Sequence, residues 1–93
     1  MADYTVRVEL TNADWDAYTK LHESMEASGY YRTVMGDDGT KFKLPDAEYV
    51  ASKSIGITQT RDEVMRIAKT YNSSPRVLVT ESAGRAWFLA ADR

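Results

Sequence analysis

The run Tyr4-Thr5-Val6-Arg7-Val8-Glu9-Leu10 alternates apolar and polar side chains at a period of two. In an extended strand successive side chains point to opposite faces, so Tyr4, Val6, Val8 and Leu10 share one face and Thr5, Arg7 and Glu9 the other. Such a strand must bury its apolar face, and the following segment supplies a cover. Between Thr11-Asn12 and Gly29 the positions Trp15, Tyr18, Leu21, His22 and Met25 recur at helical spacing, with Lys20, Glu23 and Glu26 turned to water. This early switch from strand period to helix period commits the chain to a mixed fold. Thr11 or Asn12 is expected to cap the helix, Asp14 and Asp16 to sit in its first turn where the dipole favours anions, and Gly29 to close it.

Tyr30-Tyr31-Arg32-Thr33-Val34-Met35 reads as a second strand, and Gly36-Asp37-Asp38-Gly39 as the reverse turn that sends Thr40 to Leu44 back along it. Pro45 cannot donate to a ladder, so a kink or bulge is expected before Ala47 to Ser52 resumes what is read as one interrupted strand. Thr60-Arg61-Asp62-Glu63 has the form of a capping box ahead of a helix with Val64, Ile67, Ala68 and Tyr71 on its apolar stripe. Arg76 to Glu81 is a fourth strand, and Ala86-Trp87-Phe88-Leu89, after Gly84, a short fifth strand or docked arm. The order β-α-β-β-α-β predicts an α+β, ferredoxin-like antiparallel sheet. Its first and third strands are expected to be central, with both helices on one face and the other face open. Residues 1–93 are expected to form a single domain, because two cores would each lack enough buried surface to offset ordering.

With no cysteine and a single histidine, His22, the chain has no disulfide framework, thiolate zinc site or multi-histidine cage. His22 and Glu26 stand one helical turn apart but make only two ligands, and are read as helix-edge residues. Asp14 and Asp16 are accounted for by capping and the dipole. Asp37-Asp38-Gly39 lacks the regular oxygen ligands of a calcium loop and is read as a hairpin tip. The glycines form no phosphate-binding loop, and no nucleophile elbow is present, so no metal, cofactor or catalytic residue is assigned. Met1-Ala2-Asp3 enters the first strand without a basic or apolar leader, and no stretch is long and apolar enough to span a bilayer; a cytoplasmic location is expected.

The net charge of −2 withholds the overall positive field common in nucleic-acid binders, although acids concentrate before residue 29 and bases after residue 60. The most suggestive surface combines Arg32, Lys41, Lys43 and Lys53 with Tyr31, Phe42 and Tyr49. Cations neutralise phosphates and aromatic rings stack on unpaired bases, so these residues are candidates for binding single-stranded or messenger RNA. Trp87, Phe88 and Leu89 are too apolar for a free tail and are expected to form a homodimer contact.

The opening Tyr4-Thr5-Val6-Arg7-Val8, the Leu21-His22-Glu23-Ser24-Met25-Glu26 segment, Tyr31 to Val34, Asp38-Gly39-Thr40, Leu44-Pro45 and Ala47-Glu48-Tyr49 together resemble the DUF2622 family. That family includes the GhoS-like endoribonuclease antitoxins of type V toxin-antitoxin systems. The resemblance implies a ferredoxin-like domain related in shape to the small CRISPR-associated endoribonucleases, often dimeric, with an antitoxin member that cleaves a toxin's messenger RNA. Those CRISPR-associated relatives carry a metal-binding aspartate at the end of the first strand, where this chain has Leu10-Thr11-Asn12. Any cleavage is therefore expected to be metal-independent. The alternative is a non-catalytic binding or assembly domain of phage or prophage origin that uses its open sheet face for pairing.

Overall fold

The computed structural model describes residues 1–92 and shows a small α+β fold. Strand β1 (Ala2–Leu10) is followed by helix α1 (Trp15–Ala27), strands β2 (Thr33–Met35), β3 (Lys41–Lys43) and β4 (Glu48–Lys53), helix α2 (Ile57–Lys69) and strand β5 (Pro75–Glu81). β1 lies between β4 and β5 and is antiparallel to both, with Val6 opposite Tyr49 on one side and Val79 on the other. β2 and β3 form a separate hairpin.

Tyr4, Val6, Val8 and Leu10 are buried as their alternation requires, and with Tyr49 and Ala51 they meet Leu21 and Met25 of α1 and Val64 and Ala68 of α2. The end of α1 is the glycine-capped form anticipated from the sequence. Gly29, at φ 88°, directs its N–H to Glu26 O, and the Tyr30 N–H reaches Met25 O at 2.9 Å. The hairpin tip also forms as expected, with Gly39 at φ 85° and the Thr40 N–H on Asp38 Oδ1 at 3.0 Å. That bond holds the Asp38 carboxyl below its usual range.

Five expectations require correction. The stretch from Thr40 to Ser52 is two strands in two sheets: Pro45-Asp46-Ala47 turns the chain, with Ala47 at φ 67° and the Glu48 N–H on Pro45 O. Among the described residues only β1 is flanked by strands on both sides; the outer edge of β4 is met by the single pairing of Tyr31 with Val50. Asp14, not Thr11 or Asn12, caps α1, its carboxylate accepting the Ala17 N–H at 3.0 Å. Thr11 is engaged elsewhere, its hydroxyl donating to Ser74 O and its carbonyl accepting from Asn72 Nδ2. Helix α2 begins one turn before the Thr60 box, at Gly56, where Gln59 Oε1 accepts the Gly56 N–H and Thr60 is an interior residue donating to Gly56 O.

The C-terminal segment is the fifth correction. It does not add to the edge of the three-stranded sheet. Ser82 N–H donates to Asp3 O, and Arg85 donates to Tyr4 O at 2.8 Å and Thr5 Oγ1 at 3.0 Å, so the chain crosses the face opposite the helices. It then pairs with β3, through the Lys43 N–H on Ala90 O and the Asp92 N–H on Lys41 O. Trp87 tilts against Phe42 with ring centroids 6.1 Å apart.

Candidate nucleic-acid interface

Helix α1 carries two ridges. Ala17, Leu21 and Met25 point to the core, while Trp15, Tyr18 and His22 lie roughly 60 to 120° further round at about 100° per residue. The second ridge faces Arg32, just after the Tyr31–Val50 pairing, and the Asp46-Ala47 turn. The Leu44 N–H on Arg32 O at 2.9 Å holds these two segments together, and the Val8 N–H on Ala47 O at 3.0 Å ties the turn to β1. Between the ridge and these segments lies a groove of about 460 Å³ lined by Trp15, Tyr18, His22, Arg32 and Asp46.

Tyr18 fixes one wall, because its hydroxyl accepts the Leu10 N–H at 2.9 Å and donates to Leu10 O at 3.3 Å. His22 sits between the rings of Tyr18 and Tyr49, and its Nδ1 is hydrogen-bonded to the Tyr49 hydroxyl. Burial lowers the His22 pKa from the ordinary value of 6.5, and the charges of Arg32 and Lys43 push the same way, against Asp46. Burial raises the Tyr49 phenol, which stays protonated. Trp15, the first residue of α1, is 83% exposed. Among the described residues neither the Arg32 guanidinium nor the Asp46 carboxylate has an ion-pair partner, although both line the groove. Asp14 is engaged as the helix cap.

The sequence candidates divide around this groove. Arg32 lines it, and Lys43 is near enough to act on His22. Lys41 and Lys43 are exposed on one side of β3. Tyr31 is half-exposed at the β4 edge, in a separate hollow with Asp3 and Arg85. Tyr49 is wholly buried, so its ring has no face to offer a base. Lys53 is held at the other end of β4, bonded to Ser28 O, paired with Glu63 at 3.1 Å and lying 4.4 Å from the Tyr30 ring centroid. Of the proposed dimer residues, Phe88 is wholly exposed, Trp87 is 39% exposed and Leu89 is half-buried. The helical stripe read from the sequence holds for Tyr18, which packs against the core while lining the groove, but not for Trp15, which is exposed; Asp46 carries no sequence signal of its own. The signal for the helix residues is the spacing 15, 18, 22, which leaves the line of 17, 21 and 25.

No group of three or more histidine, aspartate or glutamate side chains is placed to hold a metal ion among the described residues. No described helix is long and apolar enough to cross a membrane.

Because the folded pKa of His22 lies below the unfolded one, the folded state resists its protonation. Its contribution to stability is full above the unfolded value near 6.5 and declines as pH falls from there towards the lower folded value. Thermal unfolding followed from pH 7.5 to 5 is expected to lose midpoint over this window more steeply in the native chain than in His22→Gln. Parallel curves would remove His22 as the cause.

No protein-family model matches the chain, and no curated protein matches it.

Proposed function

We propose that the chain is a GhoS-like RNA-interacting protein that binds a single strand in the groove between α1 and the β3–β4 turn. The observation that carries this reading is one groove lined both by the exposed Trp15 and by the Arg32 guanidinium, which has no ion-pair partner among the described residues. An exposed indole is a stacking platform for any base, and a guanidinium matches phosphate geometry. Lys41 and Lys43 extend the cationic path along the hairpin. A ferredoxin-like origin fits this reading: β1, β4 and β5 with the two helices form its core, the Tyr31–Val50 pairing stands for the outer strand, and β2-β3 is an excursion from it. Endoribonuclease activity on a toxin transcript belongs to the same proposal. His22 supplies the groove's imidazole, whose pKa burial lowers, as a group for proton transfer, and of the two lining carboxylates Asp14 is engaged as the helix cap.

Each phosphate contact releases counterions, so loss of cations flattens the salt dependence of binding. The triple variant Arg32→Ala, Lys41→Ala, Lys43→Ala is expected to reduce the slope of log affinity against log salt by about two, at roughly 0.7 per phosphate on single strands. Lys69→Ala, exposed at the end of α2, should leave it unchanged. Equal slopes for the triple variant and the native chain would remove the groove from RNA binding.

The wholly exposed Phe88 favours a second, compatible reading, a homodimer through the C-terminal segment. Burying a phenylalanine side chain is worth about 1.5–3 kcal/mol before association entropy is counted. Sedimentation of the native chain is expected to show a dimer that Phe88→Ser weakens at least tenfold. A native chain that stays monomeric at high concentration would refute this assembly.

A further inference from the structure

The groove holds negative charge that phosphate binding does not explain: Asp14 lines it as the cap of α1, and Asp46 lines it without such an engagement. Asp46 lies on the exposed turn between β3 and β4, has no ion-pair partner among the described residues, and lines the same groove as Trp15 and Arg32. A carboxylate there repels the backbone of any strand that enters. Its two oxygens accept hydrogen bonds and donate none, so the favourable partner is a ligand edge with two adjacent N–H groups.

Among the four RNA bases only guanine offers that edge, with N1–H beside the N2 amine. Adenine and cytosine place a ring-nitrogen lone pair next to their amine, and uracil flanks its single N–H with two carbonyls, so each turns an acceptor towards the carboxylate. We propose that the groove reads guanine in single-stranded RNA: the Asp46 carboxylate accepts from N1–H and N2–H, the Trp15 indole supports the face of the base, and Arg32 meets an adjacent phosphate. This inference rests on the RNA-binding reading above and adds base identity to it. Opposite charges that line one groove without pairing suit a ligand carrying both a donor edge and an anion, as a guanine nucleotide does. A good bidentate contact discriminates by about tenfold to a hundredfold against a base that cannot make it.

The test uses fluorescein-labelled octauridine carrying one central guanine, adenine or cytosine, titrated with the native chain and with Asp46→Asn at fixed salt and followed by anisotropy. The guanine oligonucleotide is expected to bind native protein about tenfold to a hundredfold more tightly than the other two. Asp46→Asn should bring the three within about threefold of one another while tightening the adenine and cytosine complexes, because one of the groove's two repelling carboxylates is gone. Damage to the fold would weaken all three, so that rise separates lost reading from lost structure. Native protein that binds all three equally would overturn guanine reading and leave strand binding intact. Selectivity that survives Asp46→Asn would overturn the assignment to Asp46. Absence of binding to every oligonucleotide would overturn both this inference and the reading beneath it.

Discussion

Replacing Trp15 with alanine is expected to weaken single-stranded RNA binding by about 1–3 kcal/mol, roughly 5- to 150-fold, while leaving the thermal midpoint nearly unchanged. The two halves of this expectation have separate causes. A base stacked on an indole loses its platform when the ring is removed. The fold loses little, because the ring is 83% exposed and the core-facing ridge of α1 runs through Leu21 and Met25 instead. Trp15→Phe retains a smaller stacking surface and should fall between the two. Anisotropy titrations and calorimetry on the same three proteins check both halves; a large drop in midpoint with unchanged affinity would reverse the roles assigned here.

The largest effect on stability is expected at Tyr30. Its side chain is fully buried, its hydroxyl donates to Glu63 at 2.6 Å, and Lys53 lies over its ring while pairing with the same carboxylate. Burial by itself would raise the Glu63 pKa, yet the bonds from Tyr30 and Lys53 and the Lys53 charge outweigh it and lower the value. Tyr30→Ala removes a large core ring and leaves a cavity beside this pair, at a cost of about 3–5 kcal/mol. Against a total of about 5–15 kcal/mol that leaves a marginal protein. Tyr30→Phe keeps the ring and loses one hydrogen bond to a charged group, which costs about 1.5–3 kcal/mol. Chemical denaturation of both variants tests the ranking; a phenylalanine variant as unstable as the alanine one would place the stability in the hydroxyl and not in the packing.

Local chemistry made some of this protein legible before its structure. The strict alternation of β1, the Gly29 helix end and the Asp38-Gly39 turn each follow from a short-range rule that tertiary contacts do not oppose. The errors arose where distant partners decide. Thr11 is a sound helix cap in isolation, but Ser74 and Asn72 engage it from the far end of the chain. Pro45 signals an interruption, yet only the seating of β4 against β1 shows that the interruption separates two sheets. The C-terminal segment reads as apolar and in need of cover, and its partner is β3, far back in the sequence.

The candidate site was half legible for the same reason. Arg32, Lys41 and Lys43 stand out as cations among aromatics and remain accessible. Lys53 and Tyr49 have the same residue chemistry, but Glu63 and His22 claim them inside the fold. Helical periodicity tolerates either ridge of α1 as the core face, so it does not distinguish Trp15 from Leu21; in the structure 17, 21 and 25 face the sheet, Tyr18 both packs on the core and lines the groove, and Trp15 and His22 border the groove beside the β3–β4 turn.

The central claim, that a single strand of RNA lies in this groove, is tested most directly by nuclear magnetic resonance with isotope-labelled protein and a guanine-containing octanucleotide. The two tryptophans report on different parts of the surface, since Trp15 borders the groove and Trp87 packs on Phe42 of the hairpin. Titration is expected to shift the Trp15 indole N–H, the His22 ring and the Arg32 side chain together, with one saturation curve, while the Trp87 indole N–H, packed on the hairpin that extends the path, shifts less than that of Trp15. Shifts confined to Trp87 and the hairpin, with Trp15 and His22 unmoved at saturation, would contradict the account.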